Sequence, residues 1–367
     1  GNDILSQKLV VNFVDEDIPV LGADAFINPT ENEEITLGYH ISKEFDLFHL
    51  DFGVRHDQIS RSGSIRHDED HDEDHEDEHD EDHHDEDHAE EEHGDEHDED
   101  MEYFNKDINN TSFALSLGKD INDAFDMSLG LARVERAPTA VELLMNGPHL
   151  ATGREEVGNI NLASEQSNNI DLTLNYENDG FYATLTFFQN DVDNYIYLLD
   201  ETEEDHDEHG EHGGLILANY VQRNAEFDGY ELEIGKIFTL ARGSLAMSFA
   251  QDSISAKFSD GSYVPRITPK RNLIKVAYTE DDLKLALSFK DAKRQNDIAD
   301  NETVTDGFQV LNVNLSKTIE LGGRHNLTLS VFGKNLLDEV ARNHSSFVKN
   351  EVPMAGRNLG IRANYSF

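Results

Sequence analysis

Apolar and polar residues take turns along most of this chain. Ile170-Asp171-Leu172-Thr173-Leu174-Asn175-Tyr176 alternates strictly, as do Leu283 to Phe289, Leu311 to Ser316 and Phe125 to Leu131. A period of two marks strands with one oily and one wet face, and no stretch shows the 3.6-residue stripe of an amphipathic helix. The chain is therefore read as all-β. About fourteen strands are expected, at roughly 3–14, 33–43, 46–58, 109–120, 123–134, 166–178, 180–198, 216–238, 243–256, 268–279, 281–294, 305–319, 324–336 and 356–367. Most are longer than the five or six residues usual in soluble sheets, and long enough to cross a bilayer at a tilt. The connections alternate between tight turns, such as Lys43-Glu44-Phe45 and Leu321-Gly322-Gly323, and long loops, such as 59–108, 135–165 and 337–355. Short turns at one rim and long loops at the other predict an antiparallel transmembrane β-barrel, with the apolar side of each strand toward lipid and the polar side toward a wet interior.

Charge changes the picture. The chain has 367 residues, a formal net charge of -47, 18 His and no Cys. So acidic a protein is a poor partner for nucleic acid, whose binders need a basic stripe. Without Cys, disulfides and thiolate sites are excluded. Much of the acidity lies in two tracts. Residues 67–100 hold 23 Asp or Glu and nine His: His67, His71, His75, His79, His83, His84, His88, His93 and His97. Residues 200–212 hold eight acids with His206, His209 and His212. The first tract lies within the expected long extracellular loop 59–108, the second within the loop 199–215. Imidazole suits zinc, copper and nickel, and carboxylates add oxygen donors and an attractive field. The tracts are expected to offer many weak, overlapping metal sites at the surface. A solvated acidic run alone would be read as repelling anions or binding calcium; the regularly interleaved His favours transition-metal capture. No Gly-x-Ser-x-Gly or P-loop occurs and the tracts lack a rigid frame, so no enzyme and no catalytic cofactor are expected.

Three further segments resemble the C-terminal half of TonB-dependent outer-membrane receptors. They are Leu131-Ala132-Arg133-Val134-Glu135-Arg136-Ala137-Pro138-Thr139-Ala140-Val141-Glu142-Leu143 with the following Gly158-Asn159-Ile160-Asn161-Leu162-Ala163-Ser164-Glu165, then Gly333-Lys334-Asn335-Leu336, and the Gly356-Arg357-Asn358 entry to a closing strand that ends on Phe367. The resemblance implies a 22-stranded barrel with a plug domain, coupling to the TonB energy-transducing complex, insertion by the barrel-assembly machinery through the Phe367 end, contact with lipopolysaccharide, and a Gram-negative outer membrane. With about fourteen strands and no plug, residues 1–367 read as the C-terminal barrel portion. Asn146-Gly147-Pro148-His149-Leu150-Ala151-Thr152 is similar to the zinc-receptor branch, which implies zinc as cargo. His149 is then expected to bind the ion directly, with Glu142, Glu155 or Glu156 completing the site. His344 is a weaker ligand candidate, and His40, His49 and His56 are read as wall residues. The competing readings are the same machine carrying haem, a siderophore, nickel or copper, and a passive metal-binding porin.

Overall fold

A computed structural model gives the architecture, and it describes residues 5–20, 25–66, 101–201 and 214–367. The strands are β1 Leu5–Ile18, β2 Thr30–Glu44, β3 His49–Arg66, β4 Met101–Asn122, β5 Phe125–Arg136, β6 Asn146–His149, β7 Arg154–Val157, β8 Glu165–Asn178, β9 Phe181–Asp200, β10 Ile216–Thr239, β11 Ser244–Phe258, β12 Arg271–Glu280, β13 Leu283–Ala292, β14 Phe308–Gly322, β15 His325–Lys334 and β16 Asn358–Ser366, with one short helix, α1 Ala140–Leu144. Fourteen of the strands form a single antiparallel meander in which every neighbour is next in sequence, apart from the β6–β7 hairpin that interrupts the step from β5 to β8. Each expected strand is present. Among the described residues β1 and β16 each pair on one side only, so the meander has two edges.

The faces divide as the alternation predicts. Phe13, Leu37, Leu117, Leu131, Ile170, Phe187, Met247, Leu315 and Val331 are exposed on the outer side. Their neighbours in sequence face the interior and bond to one another: Asn175 donates to Asp126 (2.9 Å), Thr184 to Asn175 (2.9 Å), and Thr173 pairs with Thr186 (3.0 Å). No dry centre is needed, because lipid covers the oily side and a paired backbone leaves no unmet polar group in hydrocarbon.

The outer apolar band ends at a polar rung toward the long loops. Gln251, Asn272, Asp291 and Gln309 stand in register across four strands. Gln251 donates to Asn272 (2.7 Å), Asn272 to Asp291 (3.1 Å) and Gln309 to Asp291 (3.4 Å), while the Tyr230 hydroxyl donates to Gln251 (2.7 Å). A tyrosine with an apolar ring and a bonded hydroxyl is the side chain expected where hydrocarbon gives way to water.

Strand pairing runs past the expected loop boundary. β3 and β4 stay in register to the pair Arg66–Met101, so the flanks of the expected loop 59–108 are strand. Beyond the bilayer a strand no longer needs an oily outer face, and the alternation that marks it fades. The apolar clusters sit at the same rim: Ile27, Leu143, Leu144, Leu162 and Ile196 in one, Tyr197, Ala225, Ala256, Phe258 and Val264 in the next, and Ala292, Phe308 and Ala341 in a third. The core of this chain lies under its long loops.

Candidate functional site at the mouth

The segment between β5 and β8 builds one side of the mouth. Thr139 caps α1: its hydroxyl accepts from the Glu142 amide (3.2 Å), and the Glu142 carboxylate accepts from the Thr139 amide (2.8 Å). The same carboxylate takes two bonds from Arg136 (2.9 and 3.1 Å), whose Nε donates to Glu165 (2.6 Å). Glu165 in turn accepts from the Ile196 amide (2.6 Å). Arg136, Glu142 and Glu165 thus clamp the end of β5, α1 and the start of β8 to β9. Gly158 must be glycine, since a Cβ there would lie 2.7 Å from the backbone of Leu143 and Met145.

His149 stands at the end of β6. Its Nδ1 is 2.8 Å from Glu156 Oε1 on β7, and its ring stacks on Phe26 at 5.4 Å. Glu156 is buried. Its Oε1 also accepts from the Thr152 hydroxyl (2.8 Å) and its Oε2 from the Tyr220 hydroxyl (3.2 Å). A carboxylate held this firmly takes the Nδ1–H side of the ring, so that in the neutral imidazole Nε2 carries the lone pair. The His149 side chain is about one-third open, at 35%. Of the three expected acidic partners, Glu156 meets His149, whereas Glu142 is bonded to Arg136 and Thr139. Among the described residues no three His, Asp or Glu side chains converge on a common ion position. His67, His71, His75, His79, His83, His84, His88, His93, His97, His206, His209 and His212 lie outside the described residues.

Beside this cluster a cavity of about 1010 Å³ opens among the last four long loops, lined in part by Arg154, Arg223, Arg266, Tyr197, Phe347 and Lys349. The guanidinium groups of Arg154 and Arg266 lie 4.6 and 4.1 Å from the centre of the Phe347 ring. Behind it, buried His344 pairs with the Thr305 hydroxyl (2.8 Å), and its Nε2 lies 3.0 Å from Glu302 Oε1, an ion-pair distance without an aligned hydrogen bond. Lys349 donates to the same Glu302 oxygen (3.1 Å). Burial pushes the Lys349 and Arg266 groups down. Burial would raise the Glu302 carboxyl, but His344 and Lys349 outweigh it and hold Glu302 down to about 2. A depressed carboxyl stabilises the fold above its ordinary value near 4.5, and that contribution is lost as pH falls toward 2. Residues 293–307 and 335–357 should therefore loosen in that window, and Glu302→Gln should remove the acid step. Hydrogen exchange that stays flat in both segments from pH 5 to 2 would contradict this.

A strand meander with an oily outside, a wet inside, tight turns at one rim and a built mouth at the other defines an outer-membrane β-barrel of the receptor type. The model described as "TonB dependent receptor-like, beta-barrel" matches residues 30–336, and the chain belongs to that family. Its place is the outer membrane of a Gram-negative bacterium. Over 97 residues, 24% of the chain, it is 32% identical to the ferrienterobactin receptor of Escherichia coli (strain K12), of which it covers 13%. Among solved structures it is similar to the copper transporter OprC, with a TM-score of 0.68 and 17% identity over 92% of this chain and 48% of that one. The FrpB iron transporter of Neisseria meningitidis gives 0.59 and 15% over 93% and 46%. The ferric yersiniabactin uptake receptor FyuA of Yersinia pestis gives 0.59 and 15% over 92% and 46%. These likenesses carry the fold. The chain spans about half the length of the solved relatives it matches.

Proposed function

We propose that this chain is the C-terminal barrel portion of a receptor that imports a metal ion across the outer membrane, with zinc as the cargo and the TonB complex as the energy source. The unpaired sides of β1 and β16 support a larger barrel, because an open sheet edge is not tolerated in hydrocarbon. The observation that carries the metal reading is positional. The connections bearing both His/acid tracts leave the same rim that holds His149 with its braced Nδ1 and its Nε2 lone pair. The tracts 67–100 and 200–212 raise the ion's local concentration by attraction and repeated weak contact, and His149 takes it from them. Insertion through the Phe367 end and contact of the rim with lipopolysaccharide belong to the same reading.

Uptake of zinc by cells carrying the full-length receptor tests it. Glu156→Gln frees the His149 ring and should weaken uptake at limiting zinc by about 10–100-fold, and His149→Ala at least as much. Removing residues 67–100 should lower capture, and capture by the intact tract should fall as pH drops through about 6, where imidazole takes up a proton. Zinc uptake unchanged in all these variants would end the zinc reading.

A second reading rests on the cavity, where the Arg266 guanidinium donates to the Leu198 carbonyl (2.5 Å) and lies over Phe347. Cationic planes and aromatic rings suit an anionic chelate, as a ferric siderophore would be, and the likeness to the ferrienterobactin receptor agrees. Loss of ferric-chelate uptake in Arg266→Ala, with zinc uptake absent throughout, would favour it.

A further inference from the structure

The inner wall of the barrel holds a second group of imidazoles, far from His149. His40, Ser42 and Glu44 on β2 and His49 and Asp51 on β3 share the interior face, since they alternate with Tyr39, Ile41, Leu50 and Phe52 on the lipid side. His49 Nε2 lies 2.6 Å from Asp51 Oδ2, and His49 Nδ1 lies 2.7 Å from Glu44 Oε2. His40 Nε2 lies 3.4 Å from Asp51 Oδ1. One carboxylate thus stands between two imidazole nitrogens, while a second carboxylate braces the far side of one ring. The side chains of His40, His49 and Asp51 are 44, 39 and 32% open, on the face turned away from lipid. Elsewhere the interior face carries hydroxyl and amide pairs, such as Thr318 with Thr328 (3.0 Å), and Arg–Asp pairs, such as Arg271 with Asp252 and Arg55 with Asp57, and only here do two imidazoles among the described residues share one carboxylate.

We propose that His40, Asp51 and His49 form a station for a divalent transition-metal ion on the inner wall, with Glu44 orienting His49. This deepens the metal-import reading and rests on it. As they stand the donors are closed on one another rather than on a shared point. Two donors about 2.1 Å from a tetrahedral ion are about 3.4 Å apart. The His40 separation from Asp51 Oδ1 already has that value, and the His49 contact, which is to the other oxygen Oδ2, must open by about 0.8 Å and turn toward the same oxygen. Two nitrogens and one oxygen, with water in the fourth place, make a set that zinc accepts. Lys8 on β1 is in register with His40, and Ser116 and Gly118 on β4 are in register with Asp51 and His49. Two carboxylates against one lysine leave the surroundings negative, which favours a dication.

The position fits transit. Glu44 and His49 flank the tight Phe45–Phe48 turn, at the rim opposite the mouth. His40 is ten residues from Thr30, about 33 Å along the strand at 3.3 Å per residue. An open three-donor site binds an ion less tightly than a closed four-donor one, and weak sites in series let a cargo enter and leave.

Modification of the full-length receptor by diethyl pyrocarbonate, read residue by residue by mass spectrometry with increasing zinc, tests the station without interference from the tracts. Zinc should slow the reaction of His40 and His49 together, with one midpoint. Asp51→Asn should abolish that joint protection, and Glu44→Gln should move the midpoint up by about ten-fold or more. Protection of His149 should stay where it is in both variants, which reports that the barrel is intact. Zinc that leaves the His40 and His49 rates unchanged, or protects them equally in Asp51→Asn, overturns the station. Joint protection without cellular zinc uptake would retain the wall site and remove the import reading; uptake without protection would do the reverse.

Discussion

Leu287→Arg is expected to destabilise the receptor by about 2–4 kcal/mol in a lipid bilayer, while Ser288→Arg, one residue on, should cost no more than about 1 kcal/mol. The two differ only in which way the strand turns them. Leu287 lies between Val276 and Val313 in the outer apolar band, with Leu285 and Phe289 on either side along β13. A guanidinium there must lose its water or drag water into the hydrocarbon, and at this depth the stem cannot lift it to either surface. Ser288 faces the interior, where its hydroxyl accepts from Asn312 (3.3 Å) and Lys275 stands opposite. An arginine in that place stays wet; it loses one modest bond and meets one like charge. Urea unfolding of the full-length receptor in vesicles measures both. Equal costs, or a larger one for Ser288, would mean that the oily faces pack against each other inside, and the membrane assignment would fail.

That contrast is also why so much of the barrel could be read from residue order alone. A pleated strand sends successive side chains to opposite faces, so a wall with lipid on one side and water on the other writes itself into the sequence at period two. Outside the bilayer the constraint lapses. Ser60 and Ser62 stand between Glu33 and Asp107 and between Glu31 and Asn105, with no apolar partner to mark β3, yet the ladder to β4 continues, held by the backbone. The helix α1 was missed for another reason: five residues are too few to show a 3.6-residue period, and its signal is the Thr139–Glu142 capping box.

The mouth was legible in its residue types and opaque in its pairings. His149 and the three nearby glutamates could be picked out, but Glu156 owes its firmness to Tyr220, 64 residues away, and Glu142 is committed to Arg136. The Arg136–Glu142 pair is a clamp of the mouth's frame. His40 and His49 read as wall residues because nothing in sequence shows that β2 and β3 bring them onto one face in contact with Asp51. Composition can mislead as well. His75-Glu76-Asp77-Glu78-His79 spells a metalloprotease pattern, but among nine His and 23 acids such a spacing arises by chance, and the pattern carries chemistry only on a helix.

Arg154→Ala should loosen the mouth by about 3–5 kcal/mol while leaving the barrel wall in place. The Arg154 side chain is 7% exposed and joins three parts of the rim. Its Nε and Nη2 hold both oxygens of Asp200 at the end of β9 (2.7 and 2.6 Å). Its Nη1 donates to the carbonyls of Thr152 in the β6–β7 hairpin (2.6 Å) and Phe347 in the last long loop (3.4 Å). Truncation strands Asp200, itself only 13% exposed, and an unpaired buried carboxylate costs far more than the pair contributes. Arg154→Lys keeps the charge but loses the planar fork that meets two oxygens at once, so it should recover only part of the loss. Replacing both partners, Arg154→Met with Asp200→Leu, should recover most of it, because no lone charge remains. Hydrogen exchange resolves the outcome by segment. Residues 146–157 and 335–357 should exchange faster in Arg154→Ala and the central parts of β9 and β10 should not. If the double replacement is as loose as the single one, the tie acts through its geometry and packing on Phe347, not through the pairing of Asp200.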